Sequence, residues 1–323
     1  MKVAIGIDTS CYTTSVALVC EKGNCISSFR KLLPVKNGTC GLRQSEAVFV
    51  HIKQLPILFE QLTDVIHSTD CEVVAIGVSS APRPSEDSYM PVFLTGTSYA
   101  RVIASSLKLP LFYTSHQQGH IAAGLLNESG PITIPSPHLA LHISGGTTDF
   151  ILVNQDTIDN IGGSLDLHAG QLVDRIGVAF GFGFPAGKAL EALALTCTEL
   201  PLSLLPVSMS DSDLHCHLSG AEAQLLRLIK SNKYSQAQLA LELFDFLSRT
   251  LCRLIIAGCK QTQINHVLIV GGVASSTLLR TLIQRRLEKQ RKYSIKIHWG
   301  KPEYSTDNAA GVASIAMSKY LQL

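Results

Sequence analysis

Two hydrophobic periods alternate along this chain, one typical of strands and one typical of helices. Val3–Ile7 and Val16–Val19 are short apolar runs on either side of a hydroxyl-rich turn, which predicts two hairpin strands. Over Ser45–His67 the apolar residues recur every three or four positions, which predicts a helix. A second pair of apolar runs, separated by a glycine turn, begins at His138. The pattern therefore starts twice, once in each half of the chain.

The two halves predict the same succession of elements, although no repeat is visible at the level of residues. After the first hairpin, the pattern predicts strands at Cys25–Leu33, Val73–Val78 and Leu109–Tyr113, and helices at Ser45–His67, Val92–Leu107 and His116–Leu126. In the second half it predicts hairpin strands from His138 to Gly162, strands at Val267–Val270 and Ile295–Trp299, and helices at Leu165–Phe180, Gly187–Leu195, Glu222–Ile229, Ser235–Gln261, Ser275–Lys289 and Thr306–Tyr320. The duplication is one of topology.

This order predicts an α/β fold with two lobes of duplicated mixed-sheet topology around a central cleft. The segment Asn127–Pro137 has the Asn, Ser, Gly and Pro content of a boundary loop. We therefore expect an N-terminal lobe at 1–133 and a C-terminal lobe at 134–323, with the last helix, 306–320, able to pack back on the first lobe. In such folds ligands bind where strand ends face the cleft.

Composition narrows the class of protein but not its substrate. The chain has 323 residues, of which 46% are hydrophobic and 16% charged, as expected for a globular protein with two cores. No apolar run reaches the ~18 residues of a membrane span, and the chain enters a strand without a leader-like segment. Its nine cysteines form no C-x-x-C pair. We expect a cytoplasmic protein with reduced thiols. A net charge of +2 neither predicts nor excludes nucleic-acid binding.

The stretch His142–Phe150 carries the most specific local signal. Strand residues enter and leave a turn that contains Ser144, Gly145 and Gly146. Glycines allow backbone N–H groups to approach a ligand closely, and the hydroxyl of Thr147 adds a donor. The turn predicts a phosphate-binding loop, and a plain glycine hairpin is the alternative.

Two other turns favour the phosphate loop. Asp8-Thr9-Ser10 ends the first strand with an acid and two hydroxyls, and Gly271-Gly272 follows the buried strand Val267–Val270, where paired glycines let an adenosine lie against the backbone. Two hairpin phosphate loops and a late Gly-Gly turn resemble the actin, heat-shock ATPase and sugar-kinase superfamily. The resemblance implies two RNase-H-like lobes that bind an adenine nucleotide.

A metal site is predicted by histidine spacing. His116 and His120 are at i and i+4, so on a helix both imidazoles lie on one face. Asp307 follows a predicted strand and completes a set of two imidazoles and one carboxylate, which suits zinc or ferrous iron and leaves positions for substrate. The alternatives are two solvated histidines and a helix N-cap at Asp307. His142 is a candidate fourth ligand, or a donor to phosphate.

The order of these motifs resembles the TsaD-like family, once called sialoglycoproteases, whose members transfer threonylcarbamoyl to an adenosine of tRNA. The resemblance rests on His116-x3-His120, Ser144-Gly145-Gly146, Gly271-Gly272-Val273 and Ser305-Thr306-Asp307-Asn308, and covers nearly the whole chain. It implies His116, His120 and Asp307 as ligands of one iron or zinc ion. It also implies binding of ATP, AMP or a threonylcarbamoyl-adenylate. The residues implied or predicted to bind nucleotide or substrate are His142, Ile143, Ser144, Gly145, Gly146, Thr147, Asp174 (toward the ribose), Gly187, Gly271, Gly272 and Ser276.

Departures from the family pattern suggest a divergent paralogue. The family's Asp-Glu pair near the N-terminus is Tyr12-Thr13 here, an expected asparagine is Ser276, and a short glycine turn is replaced by Ala81–Asp87. Without the acidic pair, no general base is assigned.

Two other functions stay open at this stage. One is a kinase or ATPase that uses Asp8 or Asp149 and releases ADP. The other is a nucleotide- and metal-binding regulator that pairs with a true family member. A protease is disfavoured, because His116-x3-His120 lacks the inner glutamate of zinc proteases. The expected partners are an adenine nucleotide or adenylate, tRNA, and related family proteins in a hetero-oligomer or a second copy in a homodimer, with no membrane.

Overall fold

The computed structural model describes residues 1–34, 42–85, 87–127, 130–155, 157–290 and 294–323. Parts of the predicted boundary loop (128–129) and of the Ala81–Asp87 loop (86) lie outside the described residues. The chain folds into two compact units, one of residues 1–133 with 303–323 and one of residues 134–302. Among the described residues, no helix is both long enough and apolar enough to cross a membrane.

The first unit is built on a mixed sheet in the order β3-β2-β1-β4-β5. Strands β1, β2 and β3 form an antiparallel meander, and β4 and β5 continue the sheet parallel to β1. The strands are β1 (Lys2–Thr9), β2 (Thr13–Cys20), β3 (Cys25–Leu32), β4 (Glu72–Ala81) and β5 (Leu111–Ser115), and the helices are α1 (Gln44–Ser68), α2 (Val92–Leu107) and α3 (His116–Gly124).

The second unit repeats this strand order in a longer sheet, β12-β11-β6-β7-β8-β10-β9. Strands β6, β7 and β8 form the meander, and β11 and β12 run parallel to β6. The strands are β6 (His138–Ile143), β7 (Thr148–Asn154), β8 (Thr157–Ser164), β9 (Ser208–Met209), β10 (His215–His217), β11 (His266–Val270) and β12 (Lys296–Trp299), and the helices are α4 (Ala169–Ala179), α5 (Gly187–Leu195), α6 (Ser219–Ser231), α7 (Gln236–Thr262) and α8 (Thr277–Glu288). The duplicated α/β topology is thereby confirmed.

Each sheet buries its own apolar side chains against helices. In the first unit, Val3, Ile5 and Ile7 of β1 pack in one core with Leu55 and Leu58 of α1. These side chains alternate along the strand, so one face of β1 meets the helices α1 and α2. In the second unit, a larger core joins β6, β7 and β11 to helix α7.

The last helix, α9 (Ala310–Tyr320), returns to the first unit. It packs on the other face of that sheet, where Ala4 and Ala75 contact Ala316 and Met317. It also packs against α3 with backbone nearly touching backbone, because a Cβ at Gly311 would lie 1.9 Å from the carbonyl oxygen of Gly119. The glycine at 311 therefore sets the distance between α3 and the first turn of α9.

Several predicted boundaries differ in the structure, among them the starts of α4 (Ala169 instead of Leu165), of α6 (Ser219 instead of Glu222) and of the last two helices. The last helix begins at Ala310 rather than Thr306, because a 3-10 turn at Pro302–Tyr304 and an irregular stretch come first. Helix α8 begins at Thr277, after Gly271 and a 3-10 turn at 272–275. Strands β9 and β10 were not predicted, since two or three residues are too few to show a period.

Candidate metal centre and nucleotide loops

Helix α3 places two imidazoles side by side. The helix starts directly after β5, and Ser115 caps it: the Ser115 hydroxyl accepts from the Gln118 N–H (3.2 Å), while the Gln118 side chain accepts from the Ser115 N–H (2.9 Å). His116 and His120 follow on one face, with their Nε2 atoms 3.1 Å apart. His120 is 5% exposed, and the His116 side chain is 19% exposed. The two histidines are therefore not solvated side chains on an open helix face.

Asp307 supplies the third donor atom. Its Oδ1 lies 3.3 Å from Nε2 of His120 and 3.6 Å from Nε2 of His116. Its Oδ2 accepts a hydrogen bond of 2.8 Å from the Ser10 hydroxyl. The N-cap position of α9 is Ala309, and the side-chain oxygen of Asn308 accepts from the N–H of Ala310 at 3.0 Å. Asp307 thus faces the two histidines and does not cap the helix.

Asp8 orients His116 from behind. Oδ1 of Asp8 accepts from Nδ1–H of His116 at 2.9 Å and also from the Ser79 hydroxyl. An ionised carboxylate has no proton to donate and can only accept a hydrogen bond. In the neutral imidazole of His116 the proton is therefore assigned to Nδ1 and the lone pair to Nε2. That lone pair points toward His120 and Asp307. A carboxylate behind a ligating histidine is the usual support of a metal ligand.

The three donor atoms have the spacing of a ligand set. Donors held about 2.1 Å from one ion at tetrahedral angles lie about 3.4 Å from one another, and the distances here are 3.1, 3.3 and 3.6 Å. All three residues offer a ligand atom within 4.8 Å of the others. Two neutral imidazole nitrogens and a carboxylate oxygen suit zinc or ferrous iron. The residues present therefore fit one divalent ion.

Without an ion, the electrostatics of this cluster favour a proton on Nε2 of His116 beside the ionised Asp307, and a bound cation would take the place of that proton. Burial lowers the pKa of His116, but the carboxylates of Asp8 and Asp307 outweigh it and raise that pKa well above 6.5. Burial raises the pKa of Asp307, but hydrogen bonds from His116 and His120 hold it well below 3.8. The site is consequently an anionic pocket that attracts a proton or a cation.

In the second unit, residues 144–147 form an open turn between β6 and β7. The N–H of Ser144 donates to the Thr147 carbonyl (2.8 Å), and the N–H of Gly146 donates to the Ser144 hydroxyl (3.3 Å). Gly145 and Gly146 are exposed, and a Cβ at either would meet no atom within 4 Å. The Thr148 hydroxyl is already used, since it accepts from the N–H of Ala169 at the start of α4 (2.8 Å). The turn presents open backbone, as a phosphate loop requires.

His142 and Ile143 lie at the end of β6, inside the sheet. His142 is buried and is paired with Asp149 of β7 and Val270 of β11. Gly271 has a φ of +102°, and a Cβ there would lie 2.3 Å from the Ile143 carbonyl oxygen, so only glycine fits. His142 belongs to the second unit and His116 to the first. The assignment of His142 as a fourth metal ligand stays a prediction.

The other predicted nucleotide residues lie at helix starts of the second unit. Oδ1 of Asp174 accepts from the N–H of Ala186 at 2.8 Å, directly before Gly187 and α5. Burial raises the pKa of Asp174, against the hydrogen bonds from Ala186 and Gly187 that lower it. The Ser276 hydroxyl accepts from the N–H of Leu279 (3.1 Å) and so caps α8. Gly272 faces open space. Their contacts with a nucleotide stay predictions.

Two polar residues of the metal centre were not predicted in these roles. Asp8 and Ser10 were considered as parts of the turn after the first strand, and Asp8 also as a carboxylate of a kinase. Asp8 and His116 are 108 residues apart. No local pattern reports such contacts, because they depend on how the elements pack.

Comparisons with known proteins point to one family. A family model described as TsaD, tRNA N6-adenosine threonylcarbamoyltransferase, matches residues 41–314. A protein of that name from Riemerella anatipestifer is 28% identical over 328 residues, covering 98% of this chain and 93% of the relative. One from Thermosipho africanus is 26% identical over 325 residues, covering 98% and 94%. A probable bifunctional tRNA threonylcarbamoyladenosine biosynthesis protein from Methanothermobacter thermautotrophicus is 30% identical over 319 residues, covering 98% and 56%.

Solved structures that share the fold belong to diverse ATPase-like and kinase-like proteins. Component A of the (R)-2-hydroxyglutaryl-CoA dehydratase of Acidaminococcus fermentans has a TM-score of 0.54 at 13% identity, covering 99% of this chain and 100% of its own. A ROK family glucokinase from Streptomyces griseus has a TM-score of 0.51 at 12% identity, covering 98% and 99%. These likenesses confirm the actin-like fold alone. The function class comes from the family match over 41–314, by which this chain belongs to the TsaD family of tRNA N6-adenosine threonylcarbamoyltransferases, a family of transferase enzymes.

Proposed function

We propose that this chain is a metal-dependent transferase that moves a threonylcarbamoyl group from an adenylate to an adenosine of tRNA. The observation that carries the proposal is the convergence of Nε2 of His116, Nε2 of His120 and Oδ1 of Asp307 within 3.1–3.6 Å of one another. Support for the acceptor and the donor comes from the family. The proposed ion is iron or zinc, and the proposed location of the enzyme is the cytoplasm.

The residues around the centre hold the three donors in place. When bound, the ion would act as a Lewis acid toward the carbamoyl group and would leave coordination positions for the donor's hydroxyl or carboxylate. Oδ1 of Asp8 accepts a hydrogen bond from Nδ1–H of His116. This leaves Nε2 of His116 as the nitrogen that would bind the ion. Ser10 fixes the second oxygen of Asp307 and leaves Oδ1 facing the histidines.

The second unit is proposed to bind the adenylate. Exposed backbone at Ser144, Gly145 and Gly146 can donate to phosphate oxygens, which would stabilise the AMP leaving group. Gly271 and Gly272 are proposed to lie against the adenosine. The remaining proposed contacts are His142, Ile143, Thr147, Asp174, Gly187 and Ser276.

A kinase or ATPase that uses Asp8 is less well supported. Oδ1 of Asp8 already accepts from His116 and from the Ser79 hydroxyl. Oδ1 is therefore engaged in orienting His116, and only Oδ2, which is buried without a hydrogen-bond partner among the described residues, could bind magnesium. The family match favours the transferase. Chromatography distinguishes the two when ATP, threonine, bicarbonate, the partner enzyme that makes the adenylate and acceptor tRNA are all present. Transfer to tRNA releases AMP from the adenylate, in an amount that depends on the tRNA, whereas a kinase makes ADP from ATP.

A regulator that pairs with a true family member is the second candidate. The altered turn favours it, because Tyr12 is 44% exposed and the Thr13 side chain is buried where the family has two acids. An active enzyme modifies tRNA without added family members, whereas a regulator does so only when one is present. The partner in the second case would be a related protein or a second copy of this chain.

Metal removal tests the proposal directly. We expect a chelator to abolish transfer, and Zn²⁺ or Fe²⁺ to restore it. His120→Ala should show the same loss without recovery, while His67→Ala, an exposed histidine of α1 in the same unit, should retain activity. Transfer that survives complete metal removal would show that the metal has no role in the reaction.

A further inference from the structure

A buried histidine behind the candidate metal centre is not used by the proposed mechanism. His51 of α1 is fully buried. Its Nε2 lies 2.9 Å from the carbonyl oxygen of Ser10, and its Nδ1 lies 2.7 Å from the Thr14 hydroxyl. A carbonyl oxygen can only accept, so Nε2 carries a proton and donates it to Ser10. Both ring nitrogens are therefore engaged with the turn that joins β1 to β2.

The contact matters because Ser10 is the residue that holds Asp307. The Ser10 hydroxyl donates to Oδ2 of Asp307 at 2.8 Å, and the Ser10 backbone is in turn fixed by His51. The Thr14 hydroxyl also lies 2.6 Å from the side-chain oxygen of Gln54, and since it has one proton it can donate either to that oxygen or to Nδ1 of His51. Helix α1 is thus connected to Asp307 by a chain of short hydrogen bonds through one serine.

We propose that His51 is a positioning residue of the metal centre: it fixes the backbone of Ser10, and Ser10 fixes Asp307. This inference rests on the proposed function, since it assigns His51 a role toward the ion held by His116, His120 and Asp307. The role is specific to one nitrogen of the ring. Nε2 acts on Ser10, whereas Nδ1 acts only on Thr14.

Two conservative variants distinguish the role of Nε2 from the role of Nδ1. The amide of His51→Gln reaches the place of Nε2 and can donate to the Ser10 carbonyl. The amide of His51→Asn reaches only the place of Nδ1 and can bond only to Thr14. Both variants are polar and smaller than histidine, so both should lower the stability of the fold. They differ in whether the carbonyl oxygen of Ser10 keeps a hydrogen-bond donor.

The test is titration of the full-length protein with Co²⁺, followed by its visible absorption, together with urea unfolding. We expect His51→Asn to weaken Co²⁺ binding about tenfold, as loss of an outer hydrogen bond typically does, and His51→Gln to weaken it less than about threefold. Ser10→Ala should weaken binding by a similar factor of about ten, and the double variant Ser10→Ala with His51→Asn should be no weaker than either alone.

The outcomes separate this inference from the proposed function. Equal Co²⁺ affinity of His51→Asn and the natural protein overturns the inference, as do additive losses in the double variant or equal losses in the Asn and Gln variants. Each of these results leaves the metal centre intact. Failure of the natural protein to bind Co²⁺ overturns both the inference and the metal-dependent function.

Discussion

Nδ1 of His116 lies 2.9 Å from Oδ1 of Asp8, although the two residues are 108 positions apart in the chain. Asp8 ends the first strand of the sheet, and His116 begins the helix that follows β5. The contact turns the free nitrogen of His116 toward His120 and Asp307. It also places Oδ1 of Asp8 directly behind the candidate metal centre.

Loss of the charge on Asp8 should weaken the metal centre. Asp8→Asn keeps the size of the side chain but removes the negative charge that holds the proton on Nδ1 of His116. We expect divalent-ion affinity to fall by about tenfold, measured by Co²⁺ or Zn²⁺ titration. Asp64→Asn, on an exposed site of α1, is the matched control. If the two variants bind the ion equally well, Asp8 does not support His116.

The close approach of α3 and α9 should be sensitive to one methyl group. A Cβ at Gly311 would lie 1.9 Å from the Gly119 carbonyl oxygen, so Gly311→Ala must push the helices apart. We expect it to lower the free energy of unfolding by roughly 2 kcal/mol and to weaken metal binding, because Asp307 moves with α9. Denaturant unfolding and metal titration on the same samples measure both effects.

Gly145→Ala is the control for that substitution. Its Cβ would meet no atom within 4 Å, so the free energy of unfolding should stay within about 0.5 kcal/mol of the natural protein. Its metal affinity should not change. Equal destabilisation by the two substitutions would contradict the close packing of α3 on α9.

The second unit should lose stability as the pH falls below neutrality. Burial lowers the pKa of His138, and the charges of His298 and His266 lower it further. Burial also lowers the pKa of His298, and the charges of His266 and Lys296 add to that shift. The rings of His266 and His298 stack, with Nδ1 of one 3.0 Å from Nε2 of the other. His138 and His298 are therefore harder to protonate in the folded state than in the unfolded chain.

The sign of this effect follows from proton linkage. In the unfolded chain these histidines take up protons near their ordinary pKa of about 6.5, while the folded state binds them only at lower pH. The unfolded state then binds more protons, so the free energy of unfolding decreases from about pH 7.5 to about pH 5.5. The fluorescence of Trp299, the one tryptophan, reports unfolding of this unit. His298→Gln should reduce the slope, and His67→Gln should not; an unchanged slope in His298→Gln would refute the assignment.

The sequence alone predicted the repeated order of strands and helices, because burial on one face imposes a period that can be read residue by residue. It placed the helix Val92–Leu107 with both ends correct. It misplaced the start of the last helix at Thr306, because Ser305-Thr306-Asp307-Asn308 looks like a cap. In the structure the N-cap position is Ala309, the side-chain oxygen of Asn308 accepts from the N–H of Ala310, and Asp307 is turned toward His120.

The candidate site was predictable only in part. The i, i+4 spacing of His116 and His120 follows from helical geometry, and Asp307 joined them because it follows a predicted strand at the expected start of a helix; the family resemblance then implied the same three residues. The supporting contacts of Asp8, Ser10 and His51 depend on which strand end meets which helix, and single-chain patterns carry no information about that. Hydrogen bonds between distant segments are set by packing, such as that of Gly311 against Gly119.

The central claim is that one divalent ion binds to His116, His120 and Asp307. Anomalous diffraction from crystals of the protein loaded with Zn²⁺ or Fe²⁺ tests it most directly. We predict a single strong peak about 2.1 Å from Nε2 of both histidines and from Oδ1 of Asp307. A map with no peak at these atoms, or with its strongest peak at other residues, would contradict the account.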